Sequence, residues 1–222
     1  MNSKIKSNLP RMGIFKTIRF NWHYFGFKSI FKPRAVIARN VKFGKLKGKI
    51  SAPVKIGSVM IGFALDRAYP IKKGRTFFSN EGEIEIVEHF SLGRGSSFYH
   101  GEKAVSKIGD TSIGQGTMIK LYKGLDLGIN AIISWDVQII DDDSHSIIDL
   151  ESNKVLNAPE KIEIGNNVWL CSKSIVLKGT KILDNSVLAA GSFASKKFDE
   201  GDVIIANNKI VKKGIIWGSE ED

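Results

Sequence analysis

From Ile164 the chain breaks into sixes: IGNNVW, LCSKSI, VLKGTK, ILDNSV, LAAGSF, then Ala194. The first positions are all aliphatic: Ile164, Leu170, Val176, Ile182, Leu188 and Ala194. The fifth positions, Val168, Ser174, Thr180, Ser186 and Ser192, are all small or β-branched. Six is not a helical period, since an amphipathic helix repeats at 3, 4 and 7. It suits a short strand plus a turn, with one large aliphatic side chain per strand pointing inward. Three such strands would close a coil of about 18 residues, and successive coils would stack by parallel hydrogen bonding. The pairs Gly165-Asn166 and Asp184-Asn185 supply corners, because these residues tolerate the backbone that turns require.

The same rhythm runs upstream with slips. Ile86, Leu92 and Phe98 are six apart, as are Leu127, Ile133 and Ile139, while Ile108, Ile113 and Ile119 slip by a residue. The hexads stop at 141–161, DDDSHSIIDLESNKVLNAPEK, and resume at Ile162. A polar excursion from a solenoid is where a binding loop belongs. The pattern therefore predicts an all-β parallel solenoid over 84–199 with an excursion loop at 141–161. A basic, aromatic N-terminal piece (1–83) would hold a short helix near 14–31 and the first extended segments, and 200–222 would form a tail.

Charge changes this picture at one end only. The net charge is +10, but residues 1–65 hold 14 Lys and Arg and no acid, the first acidic residue being Asp66. The remainder is slightly acidic, so overall basicity does not indicate a nucleic-acid binder, and no recognition motif supports one. One cysteine, Cys171, excludes an internal disulfide. The uncharged stretch 56–65 is about half a membrane span, and the longest, 185–195, is one residue more. No signal-peptide pattern follows Lys4 and Lys6, so a cytoplasmic protein is expected.

Residues 164–193 resemble the hexapeptide-repeat acyltransferases, which fold as a left-handed parallel β-helix. The family's I-G-x-x-V-W-I-G, I-L-x-G-V-x-I-G and V-I-x-A-G-S-V-V-T-K appear here as IEIGNNVWLCS, IVLKGTKI and SVLAAGSFASK. ISWDVQIIDDDSHSI resembles the I-S-W-D…D-x-D-x-H segment of a subgroup linked to polysaccharide and lipopolysaccharide O-acetylation. Cys171 and Leu183 stand where the family has glycines, and the usual G-N-P-A-K turn reads Ala206-Asn207-Asn208-Lys209. The resemblance implies a homotrimer that moves an acetyl group from acetyl-CoA to a sugar hydroxyl of a glycan or a lipid-linked precursor. It implies cofactor contacts at Trp169, Ala190, Ser195, Lys196 and Lys209, with Trp169 either packing beside the excursion loop or covering an apolar edge.

His145 is the candidate general base, since acyl transfer to a hydroxyl needs a group near neutrality to take the proton. Asp141 or Asp143 would orient its ring; the sequence does not choose between them. Taken alone, a histidine in an acidic loop is a solvated residue. Its place between Trp135 and the returning hexads gives it the catalytic reading. Asp141, Asp143 and His145 alternate like the start of a calcium loop, but Ser146 replaces the required glycine and Ser152 the required glutamate. No metal is expected. A small-molecule acceptor (an antibiotic or amino sugar) and a non-catalytic β-helix module remain alternatives. The N-terminal aromatics would cover the solenoid's open end, touch an anionic inner membrane leaflet, or do both.

Overall fold

The computed structural model describes residues 11–63 and 74–218. The first ten residues, part of the N-terminal piece, and the acidic end of the tail lie outside them, as do residues 64–73. The strands form three parallel ladders, one per face of a solenoid. The first face runs Ala35–Ile37, Val59–Phe63, the C-terminal halves of Glu83–Gly93 and Val105–Ile113, then Ala131–Ile133, Trp169–Leu170, Val187–Leu188 and Val203–Ala206. The second face is a seven-stranded sheet from Val41–Leu46 to Phe193–Ala194. The third runs from Lys49–Ser51 through the N-terminal halves of Glu83–Gly93 and Val105–Ile113 to Lys181–Ile182.

The six-residue spacing has the structural meaning expected of it. Ile164 lies opposite Ile182, Leu170 opposite Leu188 and Val176 opposite Ala194, each pair 18 residues apart. All six first positions and all five fifth positions are buried. At the corner between the third and first faces, Asn130, Asn167, Asn185 and Asp202 all take left-handed backbone, with φ of 62°, 51°, 59° and 54°. Asparagine and aspartate reach that region at low cost. Their side chains link coil to coil: Asn130 donates to Asn167 (3.4 Å), Asn167 to Asn185 (3.0 Å) and Asn185 to Asp202 (2.8 Å).

The ladder begins earlier than the hexads suggest. Its first strand is Ala35–Ile37, not one near Ile84, so the segment 1–83 contributes whole coils as well as a cap. The cap is the helix α1 (Ile14–Phe25), which ends where Gly26 turns to φ 79°. Thr17, Phe20 and Asn21, at i, i+3 and i+4, form its buried stripe. Phe20 is fully buried and packs 5.7 Å from both Phe43 and Phe78. The open edge of Ala35–Ile37 is closed by side chains together with a short backbone pairing, in which Met12 bridges Ala38 and the Gly13 N–H donates to the Ile37 carbonyl (2.8 Å). Asn21 accepts from the Ala35 N–H (3.0 Å) and donates to its carbonyl (2.7 Å), and the Thr17 hydroxyl accepts from the Ile37 N–H (3.1 Å). The exposed edge of a sheet needs such partners. Phe15, Trp22, Phe27 and Phe31 take no part in this and stay exposed.

Below the cap lies a buried polar relay. His100 Nδ1 is 2.9 Å from Asn80 Oδ1, and Nε2 is 2.9 Å from the Ser106 hydroxyl. Asn80 Nδ2 donates to the Lys49 carbonyl, and Ser106 Oγ accepts from the Leu125 N–H, which makes His100 neutral with its proton on Nδ1. Burial pushes the His100 pKa down to about 4. The unfolded chain protonates near pH 6.5, so below that value it binds more protons than the folded one. Stability should therefore fall between pH 6.5 and 4, by about 3 kcal/mol from this residue. Chemical denaturation across that range should show the fall in wild type and a flatter dependence in His100→Gln; equal slopes would refute it.

Candidate active site

The excursion 141–161 leaves the solenoid at the corner between the second and third faces and folds into a short antiparallel arm. Ile148 bridges Val155, the Leu156 N–H donates to the Ile147 carbonyl (2.8 Å), and the Asp149 carboxylate accepts from both the N–H and the hydroxyl of Ser152. The arm carries exposed Ile147, Ile148, Val155 and Leu156, and Leu150 at its tip is 99% exposed. His145 lies on the outgoing limb and is exposed. Among the described residues its ring has no hydrogen-bond partner.

The two candidate acids have separate tasks. Asp141 is fully buried and caps the turn one coil below. Its Oδ1 accepts from the Tyr122 N–H (2.7 Å), and its Oδ2 from those of Lys123 (2.7 Å) and Gly124 (2.8 Å). Burial raises its pKa while the three amide bonds oppose the rise. Both oxygens are thus committed to backbone, and Asp141 is the arm's anchor and does not touch the imidazole. Asp143 is exposed and pairs with the Lys178 ammonium, which with Asn157 holds its pKa below the ordinary carboxylate value. It sits on the histidine's limb but directs its carboxylate to Lys178 and Asn157.

Asn157 and Lys178 were not singled out from the sequence, yet they shape the arm. Asn157 Nδ2 donates to Asp143 (2.9 Å) and to the His145 carbonyl (2.8 Å), while its Oδ1 accepts from the Ile147 N–H (2.6 Å). Lys178 also donates to the Asn157 carbonyl (2.9 Å). Register contained the signal for Lys178. Ile140 pairs with Leu177, so the next residues, Asp141 and Lys178, stack at one corner. Asn157 carries no such signal, because it lies inside the irregular arm. Lys120 reaches up to the Ser144 hydroxyl, and Ser144 holds left-handed backbone at φ 67°.

The residues expected to hold the cofactor fall into two groups. Ser195 and Lys196 share the arm's corner, two coils further along. Asn208 clamps Ser195, accepting from its N–H (2.9 Å) and donating to its hydroxyl (3.0 Å). Lys196 and Lys209 each follow a residue of this clamp in sequence, and among the described residues neither has an ion-pair partner. Asn207 and Asn208 both take positive φ (47° and 66°), the two-residue turn of a β-hairpin joining Val203–Ala206 to Lys209–Lys213. The altered G-N-P-A-K stretch is thus a sound turn, and two exposed lysines beside it suit a diphosphate.

Trp169 and Ala190 form the second group, on the first face and on its corner with the second. Trp169 donates to the Ser134 hydroxyl (2.9 Å) and packs 5.9 Å from Trp217, holding the C-terminal tail. In its own chain it therefore covers an apolar edge and does not lie beside the arm. The Ala190 N–H donates to Cys171, whose thiol is pushed up to about 11 by burial and is no nucleophile. Among the described residues no group of three His, Cys, Asp or Glu side chains is placed to hold a metal ion. Among them also, no helix is long and apolar enough to cross a membrane.

This fold is shared with an acetyltransferase of known structure. The polySia specific acetyltransferase NeuO matches it with a TM-score of 0.60 and 21% identity, over 84% of this chain and 79% of that one. The polysialic acid O-acetyltransferase OatWY matches with a TM-score of 0.46 and 18% identity, over 85% and 88%. In sequence the chain is 26% identical over 143 residues to an uncharacterised 24.8 kDa protein in the cps region of Klebsiella pneumoniae. That match spans 64% of this chain and 63% of the Klebsiella protein, less than two thirds of its length. No protein-family model matches the chain. The resemblance to hexapeptide-repeat acyltransferases, first seen in the motifs, holds at the level of fold.

Proposed function

We propose that the protein is an acyl-CoA-dependent O-acetyltransferase that places an acetyl group on a sugar hydroxyl of a glycan or a lipid-linked glycan precursor. Its coils would wind left-handed, as in the acyltransferases it resembles. The observation that carries the reading is the arm: one histidine, exposed and unpaired, on a loop whose outgoing limb is fixed by a buried acid, Asp141, and an ion-paired one, Asp143. Acetyl-CoA would supply the acyl group as a thioester. Lys196 and Lys209 would hold the diphosphate and Ala190 would border the pantetheine. His145 would take the acceptor hydroxyl proton as that oxygen forms its bond to the acyl carbon, then return the proton to the departing thiolate sulfur. The likeness to an acetyltransferase named for polySia supports a glycan acceptor.

The same geometry supports a homotrimer. His145 and Lys196 lie at one corner of the solenoid and Trp169 and Ala190 on another side, a separation that a neighbouring copy would bridge. A neighbour seated on the apolar arm would bring its own Ala190 side to His145. Thiol release from acetyl-CoA, followed over a panel of glycan, sugar and amine acceptors, tests the chemistry. Release only with hydroxyl-bearing glycans is expected; preference for a small amine would overturn the acceptor, and none with any acceptor would overturn the activity. Mixing inactive His145→Ala and Ala190→Trp chains tests the shared site. Random assembly should restore roughly a quarter of the sites. No recovery would place the whole site within one chain.

A further inference from the structure

We propose that the capped end of the solenoid docks on an anionic lipid bilayer. On α1 the buried stripe uses Thr17, Phe20 and Asn21, and the opposite side presents Phe15, Ile18 and Trp22 at i, i+3 and i+7. Phe15 is 88% exposed and Trp22 62%, and the next turn adds Phe27 and Phe31, also exposed and packed edge to face at 5.6 Å. Exposed aromatics on a cationic helix suit the headgroup–acyl boundary, where an apolar body enters and charges stay among the headgroups.

Beside Phe15 opens a cleft of about 550 Å³ into which Lys16, Arg19, Arg39, Lys42 and Arg75 converge. None of its lining residues is acidic, and among the described residues none of these five cations has an ion-pair partner. Lys16 is held in place by the carbonyls of Arg39 and Val41 (2.7 and 2.5 Å). Like charges gathered so closely repel one another, and an anionic lipid headgroup relieves that repulsion. The sequence concentrates the effect at this end, since residues 1–65 contain 14 Lys and Arg and no acid. A free phosphate would satisfy the cleft but would leave the neighbouring aromatics in water; a bilayer accounts for both.

Flotation of the full-length protein with phosphatidylglycerol-containing vesicles, and with phosphatidylcholine vesicles, tests this. Binding is expected only to the anionic vesicles and should weaken with salt. Arg19→Gln with Lys42→Gln should lower affinity about thirtyfold, from the loss of two surface cations near the membrane. Phe15→Ser with Trp22→Ser should also abolish flotation, and none of the four changes touches the buried stripe that seats the helix. The proposal fails if the intact protein does not float with anionic vesicles or if either double variant floats as wild type does. It also fails if the variants change the oligomeric size, because the surface would then belong to a second copy.

Discussion

His145→Ala lowers the rate of acetyl transfer about 10²–10⁴-fold, the range that a positioned base contributes, while fold, oligomer and acetyl-CoA binding stay as in wild type. The separation of these effects follows from where the residue sits. His145 is exposed on the arm, and its ring holds nothing in place; its carbonyl accepts the Asn157 bond, which alanine keeps. Truncation therefore opens no cavity and orphans no donor. His145→Gln should lose as much, because an amide matches the bulk but cannot take a proton. Acetylation within threefold of wild type in His145→Ala would refute the assignment, whereas loss of acetyl-CoA binding would show a positioning role instead.

How legible the fold was depends on the coil. Between Ile164 and Ala194 each corner uses a fixed number of residues, so the inward positions keep both the six-residue and the 18-residue spacing. Upstream, Glu83–Gly93 and Val105–Ile113 run continuously round a corner with a register shift between Ile86 and His89. Ile86 then faces Ile108, 22 residues on, and Leu92 faces Ile113, 21 residues on. These are the slips visible in the sequence. The first coils lose the signal altogether because Lys42, Gly44 and Lys45 interrupt the strand Val41–Leu46. Pairing with Thr76–Asn80 and the cover provided by Phe20 hold that strand in place, and neither is a local property.

The site was legible to the level of the arm but not of the atom. Motif likeness singled out the loop, and the hexads on either side marked where it leaves and returns. The two candidate acids, Asp141 and Asp143, cannot be ranked by spacing, because a ring four or two residues away is within reach of either. What separates them is the solenoid register. Asp141 directly follows the paired residue Ile140 and so sits over the turn 122–124 of the coil below, whereas Asp143 is already on the arm. The two groups of expected cofactor contacts could not be told apart in sequence, since Trp169 and Lys196 belong to one run of hexads but to different sides of the solenoid.

That division of labour predicts unlike outcomes for the two acids. Asp141→Ala should cost roughly 4 kcal/mol of stability, because the amides of Tyr122, Lys123 and Gly124 lose their only acceptor and each buried donor left unmade costs about 1–3 kcal/mol. Asp141→Asn should recover part of this: its carbonyl oxygen can still accept, but its NH₂ then faces donors. Activity should fall with both, since the arm begins at this residue, and hydrogen exchange at 122–124 should quicken. Asp143→Asn removes only an exposed pairing with Lys178 and leaves the Asn157 bonds to the His145 carbonyl and the Ile147 N–H intact. Its stability should match wild type, and any change should appear in the rate. If Asp141→Ala unfolds within about 1 kcal/mol of wild type, the buried carboxylate is not the arm's anchor. A shift in the pH profile without loss of stability would return Asp141 to the histidine. The amide distances argue for the first outcome, because a carboxylate that already accepts three backbone bonds has little left to offer a ring on the exposed limb.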